Sequence, residues 1–344
     1  MTLRTYVISR ILLTIPMIFI LLTMVFLVIR VLPGDPVLLH FEKQEHPEAM
    51  EYMRHRLGLD KPLWIQYLDY VAGMFRGDLG ESMQDYSPVA QQILSAFPAT
   101  LELAVFSMII AVSIGIFFGV EASKGYGKTR DNVIRVFGIV TYAIPVFFLG
   151  MVFQMVFGLG LHWLPVGLRL PPRMDIPSGL NVGSVHFSTG LYTIDSLLEG
   201  NVFKFVEALR YLALPSLTLG LVLSGVFIRL TRSNMFETLR LDYVTAARAR
   251  GLSETTVTYG YALRNAFLPV LTMMGLQFAT LLGGAILTET TFSWPGLGRY
   301  IVDRINFRDY TAIQGAVVFF GIFVSVVSLV VDLLYAYLDP RIRL

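Results

Sequence analysis

The chain has 344 residues, of which 55% are hydrophobic and only 15% are charged, whereas soluble domains carry about 25% charged residues. This balance is typical of a protein embedded in a lipid bilayer, and we expect no nucleic-acid partner. The charges cluster in a few segments, so their distribution is more informative than the formal net charge of +2. The absence of cysteine excludes a disulfide framework, a thiolate nucleophile and a cysteine-ligated metal centre.

The first apolar run covers residues 11–29 and follows Arg4 and Arg10. It is longer than the roughly 7–15 apolar residues of a secretory signal, and no cleavage site formed by small residues follows it. We therefore expect a retained membrane span.

Further apolar runs predict an all-α integral membrane protein with six transmembrane helices. A helix needs roughly 20 apolar residues to cross the hydrocarbon core. Such runs lie near residues 10–30, 101–122, 133–158, 212–230, 268–288 and 313–335. We divide the chain into the N-terminus with the first span (1–30), an outer cap (31–100) and a five-span core (101–344).

The distribution of basic residues predicts that both termini are cytoplasmic. Basic residues in short loops determine orientation, whereas long translocated loops have little influence. With the termini inside, short inner segments contain Lys124, Lys128, Arg130 and Arg232, while many outer basic residues lie in the long loop 31–100. The expected location is the plasma membrane, in contact with its lipid.

Two outer loops have distinct characters. Within 31–100, apolar residues recur at helical spacing over 48–58 and 62–75, which predicts a small helical cap. The second loop contains Pro171-Pro172 and a Gly/Ser-rich stretch at 177–190, which indicates irregular structure.

The inner loop 229–269 is the most informative segment. Residues 242–251 predict a short helix that ends at Gly251, and a second amphipathic helix is expected over 255–266, before Leu268-Pro269 re-enters the membrane. From the residues alone, a docking helix and a basic loop that only sets topology are equally compatible with this pattern.

The same loop resembles the EAA loop of binding-protein-dependent ATP-binding-cassette (ABC) importers. That motif has Glu-Ala-Ala, three residues, Gly and a later Leu-Pro. Here Thr245-Ala246-Ala247, Gly251 and Leu268-Pro269 fill those places, with Thr245 in place of Glu and a later Leu-Pro, as in the peptide-permease branch. Further matching motifs lie at 30–36, 57–62, 76–80, 262–266 and 295–298. The chain is most similar to the B-type permease subunit of dipeptide and oligopeptide transporters.

This resemblance implies the type I importer permease fold and a role in peptide transport, without an ATPase site or bound cofactor in this chain. It implies three kinds of protein partner: a second related permease, two ABC ATPase subunits that hydrolyse Mg-ATP, and an extracellular substrate-binding protein. Some members of the family carry oligosaccharides or nickel instead. The implied ATPase-coupling residues are Asp242, Tyr243, Ala246, Ala247, Arg248, Arg250 and Gly251.

Gly127-Lys128-Thr129 is similar to the end of a phosphate-binding loop, but Ala122 occupies the place of the required glycine. The chain therefore has no predicted ATPase of its own.

The alternative hypothesis from another functional class is a carrier that is driven by an ion gradient. A proton-coupled carrier would need a relay of acidic residues within the membrane, and the sequence offers few candidates because ionisable residues within the spans are sparse. Those residues are Glu102, Glu289 and Asp332.

Three smaller groups have two interpretations each. The turn Pro33, Gly34, Asp35 and Pro36 is either a helix stop or part of the cap that receives the binding protein. Trp294, Pro295 and Gly296 form either an interfacial anchor or part of an outer gate. Gln277, Thr280 and Thr288 either line a polar passage or bond to neighbouring helices. The five histidines lack metal-ligand spacing, so no metal site is predicted.

Overall fold

The apolar runs of the sequence form long helices in the computed structural model, which describes residues 3–31, 36–41, 47–182 and 185–338. Five helical stretches are long and apolar enough to cross a membrane, and a bent helix pair could supply a sixth crossing. The five stretches are Val7–Arg30, Val89–Lys124, Val202–Thr238, Thr256–Leu282 and Tyr310–Leu333. The helical membrane fold is thereby confirmed.

The N-terminal third combines one span with the short helices of the cap. Both predicted cap helices are present, close to the expected bounds. In chain order the elements are α1 (Leu3–Val31), α2 (Pro36–Phe41), α3 (Pro47–Arg56), α4 (Leu63–Phe75) and the long α5 (Val89–Lys124).

The rest of the described chain contains the remaining spans and one small sheet. Its helices are α6 (Thr129–Ala143), α7 (Val146–Phe153), α8 (Tyr192–Leu198), α9 (Val202–Thr238), α10 (Asp242–Ala249), α11 (Leu263–Gly284), α12 (Ile286–Thr291), α13 (Leu297–Asn306) and α14 (Tyr310–Leu338). Wide π-helical turns at Gln154–Gly160 and Thr256–Ala262 extend α7 and precede α11. Strands β1 (Leu180–Val182) and β2 (Val185–Phe187) pair antiparallel where only irregular structure was expected.

The predicted third span, 133–158, is not one straight helix. The segments Thr129–Ala143 and Val146–Gly160 meet at an angle of 98°. Ile144, at the break, has an extended backbone with ψ 128°, because the ring of the following Pro145 disfavours the helical conformation. Hydropathy counts apolar residues and does not register this break.

The inner loop is shorter than the predicted 229–269. Helix α9 continues to Thr238. The π-helical segment that starts at Thr256 leads without interruption into α11, which contains Pro269. Leu268-Pro269 therefore lies inside a helix. The connection that remains is 239–255, and α10 forms its centre.

Helices α5 and α9 form the most extensive helix pair in the described part of the chain, and glycines permit their close approach. A Cβ added at Gly115 would lie 2.2 Å from the Cβ of Phe227, and one at Gly119 would lie 2.5 Å from the Cβ of Thr231. Small residues four apart let helix backbones approach closely within a bilayer, where van der Waals packing drives association. The main apolar core surrounds this contact and includes Leu103, Met108, Leu219 and Phe227.

Replacement of Gly115 by alanine tests this contact. Gly115→Ala should destabilise the protein by about 1–3 kcal/mol because the added methyl overpacks the α5–α9 interface. The control is Gly260→Ala, where the nearest atom to an added Cβ is 3.8 Å away, so the helix propensity of alanine should leave stability equal or slightly higher. Thermal unfolding of the purified variants in detergent measures both, and equal melting temperatures would contradict the packing argument.

Candidate coupling surface

Helix α10 is the centre of the connection between the two long helices α9 and α11. Asp242 lies in its first turn and Arg248 in its last, so both charges oppose the helix dipole favourably. Gly251 follows with a φ of +77°, a conformation that glycine adopts without strain. A short, well-defined helix with a sharp exit results, as the sequence predicts.

One face of α10 is fixed to the rest of the protein. Val244 and Ala247 are buried, at 0% and 3% exposure. They pack in one apolar cluster with Val120 of α5, Met235 of α9 and several residues at the start of the next span. We call this cluster the α10 seat. It consists of Val120, Met235, Val244, Ala247, Val257, Ala262 and Ala266.

The opposite face of α10 is exposed and contains most of the predicted coupling residues. We call it the α10 face. Its members are Asp242, Tyr243, Ala246, Arg248, Arg250 and Gly251. Ala247 was predicted to contact a partner with them, but the structure places it in the seat, on the buried side of the helix. Its small size serves close packing within this chain.

Two contacts hold side chains of the α10 face in place. The Asn265 amide donates to the Tyr243 hydroxyl at 3.1 Å, which links α10 to α11. The Arg248 guanidinium donates to the Glu254 carboxylate at 2.9 Å, which holds the turn after α10 against the helix. Both contacts are exposed, so they orient the surface more than they stabilise it.

An ionic cluster beside α10 was not found from the sequence. Glu121, near the end of α5, accepts from Lys124 at 2.8 Å and pairs with Arg130 at 2.5 Å. The Tyr259 hydroxyl also donates to Glu121, at 3.3 Å. These bonds connect α5, α6 and the π-helical segment that precedes α11, so they surround the α10 seat with fixed charges.

A second pair locks α6 to α9 in the same region. Asp131 is 1% exposed and accepts from both Arg232 nitrogens, at 2.5 and 2.8 Å, in a bidentate arrangement. It also accepts from the backbone N–H of Gly127 at 2.9 Å. Gly127-Lys128-Thr129, the apparent phosphate-loop fragment, is thus the turn that positions Asp131. The sequence signal that could have indicated this ion pair is an aspartate that follows a glycine-containing turn by a few residues.

At the other end of α5, about 28 Å away by the helical rise, lies a buried ion pair. The Arg169 guanidinium donates to Glu102 at 2.7 Å and to the Gly190 carbonyl at 2.7 Å. Glu102 also accepts from the Thr193 backbone N–H and hydroxyl. The Arg169 and Glu102 side chains are 6% and 3% exposed. The pair fastens the loop between α7 and α8 onto the helical core.

Trp294 is enclosed within the protein and cannot contact lipid headgroups. It is fully buried, and its indole N–H donates to the Ala99 carbonyl at 2.9 Å, so the anchor interpretation is wrong. Glu289 is also fully buried and accepts from the Thr100 hydroxyl at 2.6 Å. A Cβ at Gly296 would lie 2.4 Å from the Glu289 carboxylate, so this glycine permits the contact, whereas Pro295 is exposed.

The three residues predicted for a polar passage do not share one exposed surface. Thr280 is exposed and donates to the Leu276 carbonyl of its own helix at 2.9 Å. Gln277 is half-buried, with Met273 as its neighbour. Thr288 is 1% exposed and belongs to α12 rather than to the span, so it cannot line an open passage in this arrangement.

Two remaining expectations concern the cap and metals. Pro33, Gly34 and Asp35 lie outside the described residues, and Pro36 begins α2. Over the described ranges, no group of three or more His, Asp or Glu side chains is placed to hold a metal ion. Asp332, one of the few acids within the spans, pairs with Arg10 of α1 at 3.2 Å.

Comparisons with known proteins cover the whole length of the chain. Residues 111–344 match the family model of the binding-protein-dependent transport system inner membrane component, and residues 3–104 match the model of the N-terminal part of such membrane components. The di/tripeptide transport system permease protein DppB of Pseudomonas aeruginosa is 42% identical over 340 residues, 98% of each chain.

Two further relatives have comparable similarity. The dipeptide transport system permease protein DppB of Alkalihalophilus pseudofirmus is 39% identical over 338 residues, 98% of this chain and 99% of its own length. The glutathione transport system permease protein GsiC of Salmonella choleraesuis is 38% identical over 338 residues, 98% of each chain.

The Glu102–Arg169 pair generates a double-mutant prediction. Glu102→Leu or Arg169→Met alone leaves one buried charge unpaired and should cost about 3–5 kcal/mol, whereas the double variant should lose clearly less than the sum. The control is Arg210→Met, which removes a surface pair with Glu207 and should cost at most about 1 kcal/mol. Thermal or denaturant unfolding measures the stability of each variant. If the loss of stability in the double variant equalled the sum of the two single losses, the coupling would be refuted.

Proposed function

Since the chain belongs to the binding-protein-dependent transport system inner membrane components, we propose that it is one permease subunit of an ATP-driven importer for short peptides. The observation that carries the mechanistic part is the α10 face. It is a short exposed helix whose other side is buried against three long helices of this chain. A partner protein that binds this surface can therefore displace α10, and α10 can transmit the displacement to the spans.

The motor is a separate protein in this proposal. The α10 face presents Ala246 between charged neighbours, so a partner backbone can approach closely while Arg250 and Asp242 supply polar contacts. We propose that this face sits in a groove of an ABC ATPase subunit. Two ATPases would serve two permeases, this chain and a related one, and the chain itself carries out no bond chemistry and binds no cofactor.

Rigid packing supports the transmission step. The α10 seat joins α10 to α5, α9 and the start of α11, and the Asp131–Arg232 and Glu121 clusters brace the same region. A displacement of α10 would therefore move these helices together rather than dissipate in a slack loop. Closure of the ATPases on Mg-ATP could then shift the spans between two discrete arrangements.

The cargo proposal depends on the relatives. Two of them are named as di/tripeptide or dipeptide transport permeases and one as a glutathione transport permease. Glutathione is itself a small peptide, so the three names agree on one chemical class. We propose that a soluble binding protein selects the peptide at the face that carries the cap, and that both chain termini are cytoplasmic.

The direct test is reconstitution. The chain, its partner permease, both ATPases and the binding protein in proteoliposomes should take up a radiolabelled dipeptide only when ATP and Mg²⁺ are supplied. Uptake by this chain alone under an ion gradient, without ATP, would instead establish the secondary-carrier alternative and overturn the proposal.

Substitution of Ala246 isolates the motor contact. Ala246→Trp adds bulk at the centre of the α10 face without touching the seat, so the protein should insert normally. Uptake should fall at least about tenfold, as the docking groove can no longer close on the helix. The matched control is Ala143→Trp, at an exposed alanine at the end of α6 that lies outside both the α10 face and the cap, and it should retain uptake. Co-purification of the ATPases measures the contact itself, and its full retention in Ala246→Trp would contradict the assignment.

A charge exchange separates two roles of Arg248. Arg248→Glu places a second acid beside Glu254, and the double variant with Glu254→Arg restores an internal pair of opposite charges. If Arg248 binds the ATPase, we expect both variants to lose ATPase stimulation by the binding protein. Recovery in the double variant would show that Arg248 acts only within this chain.

A further inference from the structure

A cavity of about 600 Å³ lies between the cap and the spans α1 and α14. We call it the boundary cavity, because Arg30 ends the apolar stretch of α1 and Gln314 lies near the start of that of α14. Tyr70 and Met74 of α4 close one side and pack on the apolar contact between Leu22 and Val318. Its size falls in the range of small-molecule sites, about 300–1,000 Å³.

Unpartnered polar atoms concentrate in this cavity. Across the described part of the chain, seven buried side-chain nitrogen or oxygen atoms have no hydrogen-bond partner. Four of them belong to residues that line the boundary cavity. They are Arg30 Nε, Gln66 Oε1, Tyr70 Oη and Gln314 Nε2. Buried polar atoms normally find partners, so such a concentration indicates that something else supplies them.

The chemistry of the four atoms is well defined. The Gln66 amide is oriented because its Nε2 donates to the Lys61 carbonyl at 2.7 Å, which leaves Oε1 as a free acceptor. Gln314 is 6% exposed and offers Nε2 as a donor. Burial raises the pKa of Tyr70 to about 12, an increase that the neighbouring Gln314 amide partly offsets, so the hydroxyl stays protonated and can donate. Arg30 contributes a cationic donor.

Among the described arginine and lysine side chains that line the cavity, Arg30 is the exception. The lining carboxylate of Asp78 also lacks an ion-pair partner, but it accepts from the backbone N–H of Gly80 at 2.9 Å. Arg56 pairs with Glu81 at 2.5 Å, and Lys61 pairs with Asp69 at 2.7 Å. Arg30 is half-buried and has no carboxylate partner among the residues that the structure describes. A partly desolvated guanidinium favours an anionic oxygen, with which it forms strong, charge-assisted hydrogen bonds.

We propose that the boundary cavity is a binding site for a small molecule that carries an oxyanion, a carboxylate or a phosphate, next to a hydrogen-bond donor. Arg30, Tyr70 and Gln314 bind the anionic oxygens, and Gln66 accepts from the donor. Two sources supply this chemistry at a membrane boundary: the headgroup of a phospholipid and a soluble metabolite or peptide. The site lies away from α10 and does not depend on the peptide-importer proposal.

Water alone satisfies the hydrogen-bonding atoms but not the charge. A cavity of about 600 Å³ holds on the order of 20 waters at about 30 Å³ each. Water leaves the cation without a counter-charge in a region where one side is apolar. An oxyanion satisfies both needs at once, which is why we favour it over hydration.

The test measures anion binding by the purified chain in its permease complex. Three probes separate the sources: glycerol 3-phosphate, the dipeptide alanylalanine, and nanodiscs of phosphatidylcholine with or without phosphatidylglycerol. Calorimetric titration measures the soluble probes, and native mass spectrometry measures lipid retained one to one. At least one probe should bind, and Arg30→Gln should weaken it at least about tenfold, the value of one charged hydrogen bond.

The matched control is Arg76→Gln, which removes an exposed arginine at the end of α4 that does not line the cavity and should leave binding unchanged. If Arg30→Gln does not fold, Tyr70→Phe and Gln314→Met test the proposal instead. Each should weaken the affinity for the probe by about threefold or more. Absence of binding by every probe, or equal binding by wild type and the cavity variants, overturns the proposal.

Discussion

The contact between α5 and α9 is the constraint on which the rest of the molecule depends. These helices are 36 and 37 residues long, and they meet where Gly115 faces Phe227 and Gly119 faces Thr231. Within a bilayer, apolar side chains gain little by leaving lipid, so close van der Waals packing is the main attraction available. Glycine at these positions converts two long apolar helices into one rigid unit.

Buried charge pairs then attach other elements to both ends of this unit. Glu102 holds Arg169 and the loop before α8 at one end, whereas Asp131 and Arg232 hold α6 at the other. In a poorly solvated environment such a pair is costly to separate, because each partner alone would be a buried, uncompensated charge. The attached elements therefore move with the α5–α9 unit. In the coupling role that we propose for α10, a displacement of this helix would reach the opposite end through this unit.

Local features of the sequence predicted the helices well and their environments poorly. The cap helices and the α10 helix with its stop at Gly251 follow from periodicity and turn chemistry, which act over a few residues. The burial of Trp294 and Ala247 depends on segments distant in the chain, and periodicity contains no such information. The break at Pro145 was visible in the sequence, but a count of apolar residues treats proline within a span as neutral.

The ion pairs illustrate the same limit from another direction. Ionisable residues within the apolar spans are sparse, and two of them, Glu102 and Glu289, are buried among donors supplied by other elements. Each of these acids is satisfied within the chain. Arg30, a basic residue at the end of a span, lacks such a partner among the described residues and borders a cavity. An unsatisfied charge among satisfied ones is therefore the stronger sign of an external ligand.

The position of the boundary cavity also determines how an occupant could affect the rest of the protein. Helix α1 contacts mainly α14, and α14 contacts α11 and α5. Helix α11 continues directly from the π-helical segment that contributes Val257 and Ala262 to the α10 seat. A ligand between α1 and α14 therefore reaches the coupling surface through α14 and α11. A second route runs from α14 to α5, which contributes Val120 to the seat. Any influence on transport passes through α14, because α1 has no extensive contact with α10 or its seat in the described residues.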